Sequence, residues 1–165
     1  MKNKLKIVFA GSPKSSSTIL QSLIDNSDVE VPYVISQEPK RAKRGNKLLP
    51  TEVAIKATEN DIDLLEPRSL DEIKESITGF DFDFLLVAAY GKILPDWMLS
   101  APAYEPINVH YSILPKHRGA SPIQSTILAG DSEAGISIMK MTKGLDEGPI
   151  SVSYTHLTLP TMAIV

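Results

Sequence analysis

Asn108 and His110 stand two residues apart in Ile107-Asn-Val-His-Tyr-Ser-Ile-Leu-Pro-Lys-His-Arg-Gly119, which reads as a strand end running into a loop. Alternation along a strand puts both side chains on one face. A carboxamide that donates or accepts, beside an imidazole that also moves protons, suits a carbonyl whose oxygen becomes negative during reaction. That is acyl-transfer chemistry in preference to hydride transfer or metal chemistry. The bland alternative is that an Asn and a His at a strand terminus only satisfy local backbone groups. The neighbourhood favours the first reading. Ser112-Ile-Leu-Pro115, a basic Lys116-His-Arg118, Gly119-Ala120 and then Ser121-Pro122 follow, the last two being N-cap and first-turn residue types. Strand, rigid loop and helix start are how an α/β sheet builds a site at its carboxyl edge.

The rest of the chain supplies elements to hold such a site. Leu5 to Ala10 is an apolar run closed by Gly11-Ser12-Pro13, and Ile19, Leu20, Leu23 and Ile24 recur at helical spacing, giving a strand, turn and helix. Val29 to Ser36 is expected as a second strand, Thr51 to Asn60 as a helix, and Ile62 to Leu65 as a third strand. Ser69-Leu-Asp-Glu72 has capping-box spacing, so a helix is expected from there towards Thr78. Phe82 to Ala88 is nearly all apolar, as in a strand covered on both faces. Ile107 to Tyr111, a helix over Ser121 to Ala129 stopped by Gly130, and a strand over Gly135 to Met141 complete the pattern. Alternating strands and helices predict an α/β fold with a doubly wound, mostly parallel, Rossmann-like sheet. The first turn lacks G-x-G-x-x-G, which argues against a dinucleotide.

The 165 residues carry a net charge of −3 and no cysteine, so disulfides and thiolate nucleophiles are excluded. The three histidines, His110, His117 and His156, show no metal spacing, and no metal is expected. No apolar run reaches membrane-spanning length, and Met1-Lys-Asn-Lys4 leads straight into a strand, so a cytoplasmic location away from the membrane is expected. Within this acidic chain Lys40, Arg41, Lys43, Arg44 and Lys47 concentrate positive charge beside the single acid Glu38. That run is either a solvated loop or a grip on a phosphate-bearing substrate. From Gly148 to Val165 there is no Asp, Glu, Lys or Arg. This tail is either an edge strand of alternating Thr and Leu or translated adapter read-through, and His156 is assigned no role.

Four ordered motifs then carry a resemblance: Ile-Val-Phe-Ala-Gly-Ser-Pro at 7–13, Val-Ala-Ala-Tyr-Gly-Lys-Ile-Leu-Pro at 87–95, Ile-Asn-Val-His-Tyr-Ser-Ile-Leu-Pro-Lys-His-Arg-Gly-Ala-Ser-Pro-Ile-Gln at 107–124, and Gly-Leu-Asp-Glu-Gly-Pro-Ile at 144–150. From about Lys4 to Ile150 the chain resembles the amino-terminal catalytic domain of the methionyl-tRNA formyltransferase family. The resemblance implies the formyltransferase fold and transfer of a formyl group from 10-formyltetrahydrofolate to the amino group of initiator methionyl-tRNA. It implies catalytic roles for Asn108, His110 and Asp146. Folate is expected along Ser112, Ile113, Leu114 and Pro115 and beside Val87, Ala89, Tyr90, Gly91, Ile93 and Leu94, and tRNA at Lys40, Arg41, Lys43, Arg44 and Lys47. Arg44-Gly45 keeps the family's Arg-Gly step, whereas Glu38-Pro-Lys-Arg41 departs from its usual Pro-Asp-Arg-Pro. No protein partner is expected. Residues 1–150 are expected to form this domain, incomplete at its carboxyl end, with 151–165 a tail of doubtful origin.

Within that chemistry Asn108 and His110 would hold the oxygen that gains charge, and His110 would relay the proton that the incoming nitrogen loses. Asp146 would orient the imidazole and favour its charged form. On sequence alone a loop carboxylate capping amides between Gly144 and Gly148 is an equal reading, and the resemblance tips it. Arg118-Gly119 is expected to fix the loop through carbonyls or a carboxylate, and Tyr90, Trp97 and Met98 to be core or pocket wall. Two other functions stay open: formyl transfer to glycinamide ribonucleotide or a nucleotide-linked amino sugar, and a folate-binding fragment without transfer.

Overall fold

A computed structural model describes residues 4–41 and 48–158, in a chain that divides into two compact units, Met1–Pro106 and Ile107–Val165. In the first unit the expected βα opening forms as β1 (Leu5–Gly11) and α1 (Lys14–Ile24). Val8, Phe9 and Ala10 are fully buried, because β1 lies inside a parallel sheet and needs no polar face. The single strand expected over Val29 to Ser36 is instead two pieces, β2 (Val29–Glu30) and β3 (Tyr33–Ile35). Pro32 lies between them and has no N–H to give to the ladder. Both pieces pair in parallel with β1, Leu5 opposite Val29 and Phe9 opposite Val34.

A short antiparallel ribbon follows, β4 (Lys40–Arg41) on β5 (Leu48–Leu49). Helix α2 (Glu52–Glu59) starts where Thr51 Oγ1 accepts the Ala54 N–H at 3.0 Å, and it buries Val53, Ala54 and Ala57. Strand β6 (Asp63–Leu65) pairs in parallel with β3. The Ser69–Glu72 capping box is present, but the first turn after it is 3₁₀ (Leu70–Ile73) before α3 (Lys74–Thr78). Strand β7 (Phe84–Ala88) pairs in parallel with β1 on its other side, giving the order β7-β1-β3-β6. One further turn, α4 (Asp96–Leu99), was not expected from periodicity, being too short to show one. Phe9, Leu20, Val34, Ile35 and Leu85 are wholly buried, each worth about 1.5–3 kcal/mol relative to exposure.

The second unit contains most of β8 (Glu105–His110), then α5 (Pro122–Leu128), β9 (Glu133–Lys140) and β10 (Ile150–Thr158). Its strands run antiparallel: β9 pairs with β8, Asn108 opposite Met139 and His110 opposite Ser137, and with β10 on its other side. Residues 150–158 form a strand on β9, with ladder irregularities at Ile150/Val152 and Thr155/Leu157. Pro122 occupies the first turn of α5 as its type predicts, whereas Ser121 makes no side-chain cap bond. Among the described residues no helix is long and apolar enough to cross a membrane.

Candidate active site

The pleat of β8 brings Asn108 and His110 to one face, and the return of the chain after β9 brings Asp146 to them. Lys140 donates its N–H to the Pro149 carbonyl at 2.9 Å, closing the 141–148 loop at its base. Gly148 makes that closure possible, because a Cβ there would collide with the Lys140 carbonyl. Asp146 itself adopts a left-handed backbone, φ 51°. Such conformations are costly for a residue with a side chain and concentrate where a group must be aimed.

The carboxylate is aimed at three groups. Its Oδ1 accepts from Asn108 Nδ2 at 3.4 Å, and its Oδ2 accepts from the Gly119 N–H at 2.8 Å. The same Oδ2 lies 3.5 Å from His110 Nδ1, with the two side chains only 10% and 5% exposed. The amide that Asp146 caps is thus Gly119, on another loop, and not one between Gly144 and Gly148 as the capping reading expected. Gly119 carries φ +106°, which turns its N–H to the carboxylate at no steric cost to a glycine. This bond ties the loop through the backbone of Gly119, not through the Arg118 side chain. The other imidazole nitrogen, His110 Nε2, is 3.0 Å from the His117 carbonyl oxygen. A carbonyl only accepts, so Nε2 carries a proton.

The loop from Ser112 to Gly119 is tied internally. Ser112 Oγ donates to the Lys116 carbonyl at 2.6 Å, and Ser137 Oγ donates to the Ser112 carbonyl at 2.9 Å while accepting the Leu114 N–H at 3.0 Å. The Leu114–Pro115 peptide is cis. Ser112 and Leu114 are buried, Ile113 is half-buried and Pro115 is exposed. Ser137 was not a sequence candidate, although its place among the small and polar residues alternating with Ile and Met in β9 was visible.

A second histidine–aspartate contact lies on the same loop. His117, also left-handed at φ 55°, meets Asp131 Oδ2 through Nε2 at 2.7 Å, and Lys116 Nζ is 3.5 Å from Asp131 Oδ1. The hydrogen bond with His117 holds the Asp131 carboxyl below the usual aspartate value; partial burial opposes it and Lys116 adds to it. Both residues face a cavity of about 270 Å³ that Ile113 and Thr126 also line.

The first unit holds the other expected folate residues. Val87, Tyr90 and Leu94 are buried, whereas Ala89 and Gly91 are exposed with positive φ and Ile93 is 90% exposed. Gln37 Nε2 donates to the Tyr90 carbonyl at 2.6 Å, and Lys92 Nζ donates to the carbonyls of Pro67 and Arg68 at 2.8 and 3.0 Å, so this turn is pinned from two sides. The Tyr90 hydroxyl is buried without a partner, and burial pushes its pKa up to about 12. Burial, and then the neighbouring Glu38, raise the pKa of Glu66. Met98 is core, while Trp97 is half-buried and donates from Nε1 to Asp71 at 3.1 Å. Lys40 and Arg41 lie exposed on β4; Lys43, Arg44 and Lys47 lie outside the described residues. Among the described residues no group of three His, Asp or Glu side chains is placed to hold a metal.

Residues 4–162 match the family model for formyl transferases. The chain is 42% identical over 152 residues to methionyl-tRNA formyltransferase of Hahella chejuensis, covering 91% of this chain and 48% of that protein. It is 46% identical over 149 residues to the enzyme of the same name from Prochlorococcus marinus, covering 88% and 44%. The chain therefore spans about half the length of the curated relatives it matches. Among solved structures it is similar to glycinamide ribonucleotide transformylase 1 from Geobacillus kaustophilus, with a TM-score of 0.76 at 23% identity over 96% of this chain and 85% of that one. A formyltetrahydrofolate deformylase from Pseudomonas syringae gives 0.72 at 23% identity, over 93% and 51%. At such identities these two likenesses show a shared fold.

Proposed function

Because the chain belongs to the formyl transferase family, we propose that it transfers a formyl group from 10-formyltetrahydrofolate to the amino group of methionyl-tRNA, with Asn108, His110 and Asp146 as its reacting groups. The observation that carries this reading is the convergence of an amide and an imidazole on one carboxylate, each within 3.5 Å of it, in a mostly buried cluster of side chains. The donor set fits a formamide. A carboxamide has two N–H donors and Asn108 spends one on Asp146, so the other is available to an oxygen that gains charge. When bound, 10-formyltetrahydrofolate supplies the activated formyl group.

His110 is prepared to move a proton at Nδ1. With Nε2–H given to the His117 carbonyl, the neutral ring presents a bare Nδ1, and 3.5 Å to Asp146 is too long to count as a closed hydrogen bond. Nδ1 takes the proton shed by the attacking amine, Asp146 Oδ2 balances the charge of the ring, and the proton is then available to the departing nitrogen. The folate residues on the backbone turns at 87–94 and 112–115 are part of the same reading, as are the basic residues at 40–47 for the phosphates of tRNA. The acceptor assignment is supported by 42–46% identity to methionyl-tRNA formyltransferases against 23% to a glycinamide ribonucleotide enzyme. A cytoplasmic location is part of the same reading.

The test is transfer from donor labelled in its formyl group, offered methionyl-tRNA and glycinamide ribonucleotide in parallel. Label on methionyl-tRNA is the expected result. Label only on the ribonucleotide would overturn the acceptor, and no label on either would overturn the transferase reading.

A further inference from the structure

The catalytic imidazole depends on a bond to a backbone carbonyl, and what holds that carbonyl is a side chain with no place in the chemistry above. His110 Nε2 reaches the oxygen of His117 at 3.0 Å from a turn in which His117 adopts φ 55°, a left-handed conformation that is uncommon and costly for a residue with a side chain. Its own ring is anchored: Nε2 meets Asp131 Oδ2 at 2.7 Å, the shortest histidine contact among the described residues. Asp131 comes from the turn between α5 and β9, and its Oδ1 is further steadied by Lys116.

We propose that the His117–Asp131 pair is a positioning device for His110: by locking His117 in the left-handed turn it presents the His117 carbonyl to Nε2 and so fixes the tautomer that leaves Nδ1 free to accept a proton. The proposal rests on the reading of His110 as the proton-moving group. The pair also differs in kind from an ordinary surface ion pair. Its side chains are only 17% and 23% exposed, and it sits on a loop whose other ties, Ser112 to Lys116 and Gly119 to Asp146, bracket His117 on both sides. Those ties fix the two ends of the turn, and the His117–Asp131 bond fixes its apex. Positioning of this sort acts on rate through geometry, since a displacement of about 1 Å can cost roughly 100-fold.

Asp131→Ala and His117→Asn test it on the full chain. Asparagine tolerates the left-handed backbone but lacks the ring, so it separates the conformation of the turn from its anchor. The ring nitrogens of His110 are read by nitrogen-15 NMR, which distinguishes the two tautomers without any turnover. In the wild type the Nε2–H form is expected to dominate. Asp131→Ala is expected to mix the tautomers and to lower kcat for formyl transfer by about tenfold, with KM for the formyl donor retained. Asp131→Asn, whose amide oxygen still accepts from His117, is expected to restore both readouts. His117→Asn is expected to mix the tautomers as Asp131→Ala does. Unchanged His110 ring signals in both Asp131→Ala and His117→Asn would overturn the proposal whatever their rates. Mixed tautomers with an unchanged rate would support the positioning and instead remove His110 from the proton-moving role in the proposed function. If Asp131→Ala does not fold, His117→Asn alone decides by the same signals.

Discussion

The second unit holds two histidine–aspartate contacts: His110 with Asp146, 3.5 Å apart with side chains 5% and 10% exposed, and His117 with Asp131, 2.7 Å apart at 17% and 23%. Closeness and burial run in opposite directions. The outer pair is a closed hydrogen bond on a turn, and its donor and acceptor are spent on each other. The inner pair is buried yet left long, and its carboxylate is instead held by the Gly119 amide and by Asn108. A group that must gain and lose a proton needs an unspent valence, and a group that must hold a loop needs none. Catalytic hydrogen bonds are often long before substrate binds and tighten afterwards. Under the proposed function, distance alone would therefore select the other pair as the reactive one.

The difference can be broken most severely at the oxygen that gains charge. Asn108→Ala removes the free amide donor, and the expected loss is about 100- to 1,000-fold in single-turnover formyl transfer, or about 2.7–4 kcal/mol of barrier. Thermal unfolding should show the variant folded, since Asn108 is half-buried and bonds only at its tip. Near-wild-type turnover would take Asn108 out of the reaction.

The same chemical change made in both pairs then sharpens the contrast. Asp146→Asn leaves an oxygen able to accept from Gly119 but removes the charge opposite His110, so a loss of about 100-fold is expected with little change in stability. Asp131→Asn keeps an acceptor for His117, so its rate should stay within about twofold of wild type, because only orientation is asked of that pair. Equal rates for the two variants would erase the functional distinction between the pairs.

How far this arrangement was legible depended on how local each piece is. Asn108 and His110 could be found because strand alternation is a two-residue rule, and the Ser69 capping box because caps act over three residues. Pro32 was in plain view, yet the apolar run around it hid the break it makes between β2 and β3. Asp146 lies 38 positions from Asn108, and only the family motif pointed to it. Its approach depends on the chain closing at Gly148, which has no signature in periodicity. His117 and Asp131 are 14 residues apart with a helix between them, and their meeting depends on a left-handed backbone at a histidine. Nothing in residue type announces that. The Ser137 hydroxyl, which ties the loop through Ser112 and Leu114, is likewise fixed by the register of β9 on β8.

The smallest expected effect concerns stability, and it isolates the outer pair from the inner one. The hydrogen bond from His117 is the main cause that holds the Asp131 carboxyl below its ordinary value of 3.8, with burial opposing and Lys116 assisting. The folded protein therefore binds that proton less readily than the unfolded chain does. By linkage the contribution of the pair is complete above the unfolded value and is lost as pH falls through the lowered folded one. The window lies below about pH 4, the ordinary aspartate range. The denaturant midpoint of wild type should fall relative to that of Asp131→Asn as pH drops below about 4, because the amide has no proton to gain. A difference that stays constant from pH 5 to about pH 2 would mean that Asp131 binds its proton equally in both states. The 2.7 Å contact would then hold the turn at His117 equally well with Asp131 charged or neutral.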